Sequence, residues 1–125
     1  MTRFGRHFTL EEARAMLAEV RGTLSRIREL RTTLRELGAK LEESAEGNGE
    51  AAPAQRRFQG RIEEMQALAE RITRVGIVLR DLDAGLIDFP SFRGDQEVFL
   101  CYHLGEDSIE FWHGLDDGIA GREPV

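Results

Sequence analysis

Apolar residues recur along the first third of the chain at Leu10, Ala13, Leu17, Val20, Leu24, Ile27, Leu30, Leu34, Leu37 and Leu41. Steps of three and four residues, with one shortened step between Ile27 and Leu30, define a narrow heptad-like seam on a long helix. The start of that helix is written locally. Thr9 followed by Glu12 is a capping box, in which the hydroxyl serves a free backbone N–H and the carboxylate reaches back. The pattern predicts a first helix over residues 9–46. Ser44 to Ala54 then reads as a polar hairpin tip, with Gly47, Asn48, Gly49 and Pro53 as breakers. A second helix is predicted over residues 55–75, carrying Phe58, Ile62, Met65, Leu68, Ile72 and Val75 on one face. Two amphipathic helices joined by a short polar loop pack antiparallel.

Beyond Gly76 the period changes from helix to strand. Arg71 and Arg74 in the last turn, followed by Gly76, match a helix end closed by a left-handed glycine. The apolar spacing could also continue the helix through Leu79, Leu82 and Leu86. The stop at Gly76 is preferred, because Ile77–Asp81 and Leu86–Ser91 around the Asp83-Ala84-Gly85 turn read as a β-hairpin. Glu97–His103 is apolar on both faces, as a central strand is, and Ser108–His113 alternates like an edge strand. The tail from Gly114 reads as irregular, but ordered if it packs on the sheet. The expected fold class is α+β: one domain over residues 1–125, a long antiparallel coiled-coil-like two-helix hairpin followed by a small antiparallel sheet of three to four strands within residues 77–125.

Composition narrows the setting. The chain of 125 residues is 41% hydrophobic and 32% charged, enough for one modest core. No apolar run reaches the ~20 residues of a membrane span, and no apolar stretch follows Arg3 and Arg6 as in a secretory leader. Cys101 is the single cysteine, so a cytoplasmic, reducing location is expected. The net charge of −6 is uneven. Residues 1–80 hold 15 Lys and Arg against 12 Asp and Glu, whereas residues 81–125 hold 2 against 11. An acidic second half repels phosphate backbones, so nucleic-acid binding would fall to Arg21, Arg28, Arg31 and Arg35 and is disfavoured. Of 17 basic residues only Lys40 is a lysine, a bias attributed to codon composition.

Candidate chemistry is sparse. His103, His113 and Cys101, with Asp88 and Glu110, are able to ligate a metal, and Cys101 and His103 share a strand face. No CxxC, HxxxH or HExxH spacing accompanies them, so core packing is the preferred reading, and no metal or cofactor is expected. Gly118-Ile119-Ala120-Gly121-Arg122 offers exposed backbone N–H groups and a forked cation suited to an anion, although pairing of Arg122 with a local acid is the simpler reading. Trp112 beside His113 could line a pocket or cover the core. No nucleophile–base constellation can be assembled from spacing, and the balance falls against an enzyme.

The blocks Gly85-Leu86-Ile87-Asp88-Phe89-Pro90, Leu100-Cys101-Tyr102, Leu104-Gly105-Glu106, Phe111-Trp112-His113 and Gly118-Ile119-Ala120-Gly121-Arg122, with Thr9-Leu10-Glu11-Glu12-Ala13, resemble a prokaryotic family known as domain of unknown function 2203. Some of its members carry a division-initiation label, on which no expectation is built. The resemblance implies no reaction. It implies that interest centres on Asp88, Cys101, Glu106, Trp112, His113, Gly121 and Arg122, and that His103 is a poor ligand candidate. From the seam, the leading expectation is a non-enzymatic interaction or scaffold protein, homodimeric through its helices, with a further protein partner possible. The alternative is a small-molecule, anion or metal-binding module using Asp88, Glu106, Trp112, His113, Gly121 and Arg122.

Overall fold

A computed structural model describes residues 2–44 and 51–125. Helix α1 spans Leu10–Ser44 and α2 spans Ala51–Arg74. The capping box forms as written: the Glu12 N–H donates to Thr9 Oγ1 at 3.0 Å, and the Thr9 N–H donates to Glu12 Oε1 at 2.9 Å. The second helix begins four residues earlier than the predicted start at residue 55, taking in Pro53. Proline is tolerated there because the first turn of a helix leaves its N–H groups unpaired in any case. The rest of the expected hairpin tip, and the last two residues expected of the first helix, lie outside the described residues. The second helix ends where the cation–glycine signal put it, with Gly76 at φ +103° and its N–H on Thr73 O at 3.0 Å.

Five strands follow: β1 Val78–Asp81, β2 Leu86–Arg93, β3 Gln96–His103, β4 Phe111–Gly114 and β5 Glu123–Pro124. They form one antiparallel meander in sequence order. Two expectations change here. The fourth strand begins at Phe111 rather than Ser108, and it is not an edge. Part of the tail, expected to be irregular, pairs with it as β5, Phe111 opposite Pro124 and Trp112 opposite Glu123. Five strands therefore replace the three to four expected.

The hairpin lies on one face of this sheet. Leu17, Val20, Leu24 and Ile27 of α1 share a core with Ile87 and Phe89 of β2 and Leu100 and Tyr102 of β3. Arginines pin the helix across the strands. Arg14 donates through Nε and Nη2 to Ile109 O, Arg21 to Tyr102 Oη and Asp107 O, and Arg31 with both nitrogens to the Asp83 carboxylate, which also accepts from Arg35. Such forked contacts need the guanidinium plane, which lysine lacks. Three of the four arginines considered for nucleic acid are thus committed to protein partners.

The second face is covered too. Both central strands are buried on their two sides. The N-terminal segment crosses this back face, with Phe4 edge-on to Phe99 at 5.2 Å and His7 stacked on Phe92 at 4.2 Å. Pro90 fits inside β2 for a local reason. Its carbonyl accepts the Phe8 N–H at 2.7 Å, so the side of the strand where its own N–H is missing looks toward the N-terminal segment and costs no ladder bond.

Candidate functional site

Strand alternation and register assemble a cluster on the back face. Asp88 stands opposite Cys101 in the β2–β3 pair, and His113 opposite Phe99 in the β3–β4 pair. Because side chains repeat every two residues, Asp88, Cys101 and His113 emerge on the same side. Their ligand-capable atoms lie within 4.8 Å of one another, and all three residues are buried. A pocket of ≈ 340 Å³ opens above them, lined also by Arg80, Leu86, Leu115, Asp116, Gly118 and Ile119.

The hydrogen bonds assign protons. His113 Nδ1 lies 2.8 Å from Gly114 O. A carbonyl only accepts, so Nδ1 carries the hydrogen. His113 Nε2 lies 3.0 Å from Asp88 Oδ1, while Arg80 Nε donates to Asp88 Oδ2 at 2.8 Å. The Arg80 guanidinium carbon lies over the Phe99 ring, 4.7 Å from its centroid. Burial, and after it the nearby Asp88 charge, push the Cys101 thiol up to about 12. At neutral pH the metal-free sulfur is therefore protonated and a poor nucleophile. The imidazole geometry also excludes a cysteine–histidine–aspartate relay. Such a relay needs one ring nitrogen on the nucleophile and the other on the acid, whereas here one faces the acid and the other a backbone carbonyl.

As a metal centre the same geometry fits. An Nδ1–H bonded to a carbonyl is the outer-sphere contact that presents Nε2 to a metal, and Arg80 on Oδ2 leaves Oδ1 to coordinate. Around a tetrahedral ion with bonds of roughly 2.0–2.3 Å, donor atoms stand about 3.3–3.8 Å apart. From separations within 4.8 Å, the cluster needs to close by at most ~1.5 Å. Thiolate, imidazole and carboxylate together suit zinc and its neighbours.

The other residues singled out in the sequence separate into distinct roles. Glu106 and Arg122 pair with each other at 2.5 Å, and Glu106 Oε1 also takes the His103 N–H at 2.7 Å. Arg122 lies against Phe111, and its Nε is buried without a partner among the described residues. This pair is close enough to act on the Cys101 thiol through its charges, but it does not line the pocket. Trp112 projects to the helical face, where it packs on the core beneath Arg93. Gly121 is required for packing: a Cβ there would lie 2.8 Å from the Asp117 Cβ. His103 and Glu110 stay outside the cluster. Arg80 was missed by sequence reading. It is the extra residue of the bulge between Leu79 and Asp81 in the β1–β2 pair, which sequence alternation does not reveal.

The fold and site define a two-layer α+β domain, a helical hairpin on a five-stranded meander whose far face holds a buried aspartate–cysteine–histidine cluster. The chain belongs to the family described as Uncharacterized conserved protein (DUF2203), whose model matches residues 6–125. Neither a curated protein nor a solved structure matches the chain.

Proposed function

We propose that the protein is a metal-binding module that holds one zinc-class divalent ion through Asp88, Cys101 and His113. The observation that carries this reading is the convergence of those three side chains, all buried, at the floor of an open pocket. Gathering a buried carboxylate, thiol and imidazole carries a desolvation cost, which the contacts of Asp88 with Arg80 and His113 offset in part. A dication compensates the three groups by replacing the thiol proton and the proton shared between His113 and Asp88. Three protein ligands beside an open space match sites that keep a coordination position for an exogenous group.

The test is metal content and ligand identity in the full chain. Protein purified with zinc present is expected to retain about one ion per chain, and the cobalt-substituted form to show a thiolate-to-metal charge-transfer band. Cys101→Ser is expected to lose that band while the far-ultraviolet spectrum keeps its folded shape. Wild-type protein that retains no zinc and gives no such band with cobalt would sink the proposal, whatever the variants do.

A second reading keeps the homodimer expected from the helical seam, now over a shorter stretch. From Ala13 to Leu30 the seam is buried inside one chain. Farther along, Leu34, Leu37 and Leu41 of α1 and Phe58 and Ile62 of α2 are only half-buried, and this distal end is the part we propose a second copy covers.

A further inference from the structure

We infer that the metal-loaded pocket takes a small carboxylate with a short apolar tail, one oxygen on the open metal position and the other on Arg80. This rests on the metal reading and adds the ligand class to it.

Charge is the first argument. A Cys101 thiolate and the Asp88 carboxylate together balance a dication, so Arg80 leaves the pocket floor with a net positive charge. Among the described residues, the one other charged side chain lining the pocket is Asp116, whose Oδ1 accepts from Arg3 Nη2 at 3.3 Å. An anion is therefore the complementary guest.

Arg80 supplies the second argument. Its Nε is used on Asp88, and the guanidinium carbon rests over the Phe99 ring. Among the described residues its two terminal nitrogens donate to no protein acceptor. An arginine held in place with spare donors beside a metal position suits a planar, two-oxygen anion, because carboxylate geometry matches the guanidinium fork.

The walls decide the rest of the ligand. Leu86, Leu115 and Ile119 are apolar, and Ile119 stays substantially exposed at 44%. The pocket volume of ≈ 340 Å³ corresponds to on the order of ten non-hydrogen atoms at ~30 Å³ each. Inorganic phosphate would satisfy the charge but leave these walls against water. A short branched or aromatic acid satisfies both.

The experiment uses the full-length cobalt-substituted protein and follows the visible cobalt bands. Isovalerate is the probe, isovaleramide its neutral isostere, and inorganic phosphate the rival anion. The expected result is a saturable change with isovalerate, none with the amide, and weaker response to phosphate. Compared at equal cobalt occupancy, Arg80→Gln is expected to weaken isovalerate binding roughly tenfold or more, the loss of a hydrogen bond to a charged group. A loaded protein that ignores isovalerate, answers the amide equally, or prefers phosphate overturns the carboxylate while leaving the metal site standing. Unchanged isovalerate affinity in Arg80→Gln overturns the role of Arg80. Failure to load cobalt at all removes the metal reading and this inference together.

Discussion

Gly85 shows how a single position sustains the β1–β2 turn. Its φ is +68°, and a Cβ built there would fall 2.5 Å from the Leu104 Cβ, while its carbonyl accepts the Leu104 N–H at 2.9 Å. The obstacle is the root of a side chain, not its flexible end, so it cannot rotate away. Gly85→Ala adds left-handed strain to overpacking and is expected to destabilise by about 2–4 kcal/mol. Urea denaturation checks this; a midpoint matching wild type would refute the packing argument. At the site, Asp88 illustrates the limit of residue-level reading. The sequence marks it as an acid inside an apolar strand, an uncommon placement. Only the structure shows its two oxygens divided between Arg80 and His113.

At the scale of elements, the start of the N-terminal segment gathers on one carboxylate. Glu97 accepts the backbone N–H of Arg3 at 2.7 Å and of Phe4 at 3.1 Å, and contacts His7 Nε2 at 2.6 Å. The Arg3 N–H most of all, with His7 and Phe4 also contributing, holds the Glu97 carboxyl below the usual carboxylate range. A folded-state pKa below the unfolded one means the stabilisation is complete above the unfolded value. It is lost as pH falls through the folded value. The protection factors of the Arg3 and Phe4 amides, taken against the unfolded-chain rate at each pH, are therefore expected to be high at neutral pH and to fall in acid below the ordinary glutamate range. Protection that persists through that range would show that Phe4 packing alone holds the segment. The helices were legible at this scale because the capping box, the seam and the glycine stop are local signals. The strand β5 was not, since two residues containing a proline carry no period; it forms because β4 presents an edge to it.

Across the whole molecule, the two faces of the sheet divide the work. One face buries the seam: Leu24 is 1% exposed and Ile27 fully covered, so Leu24→Arg would put an unpaired charge into the core and is expected to unfold the chain. Leu34, half-buried at the distal end, separates folding from association. Under the dimer proposal Leu34→Arg yields a folded monomer by light scattering, and a folded dimer of unchanged mass would dismiss it. No described helix is long and apolar enough to cross a membrane. The other face gathers Asp88, Cys101 and His113 from three strands beside residues 115–119. The sequence by itself determined what short-range chemistry governs: two amphipathic helices and their caps, the stop at Gly76, the central strands and the acidic second half. The tertiary structure alone decided which of five ligand-capable residues converge. Cys101 and His103 share a face, as alternation requires, yet cross-strand register brings Asp88 and His113 to Cys101 and leaves His103 at the strand end. Register is set by turns and by burial on both sides of the sheet at once, and no local stretch of sequence carries that information.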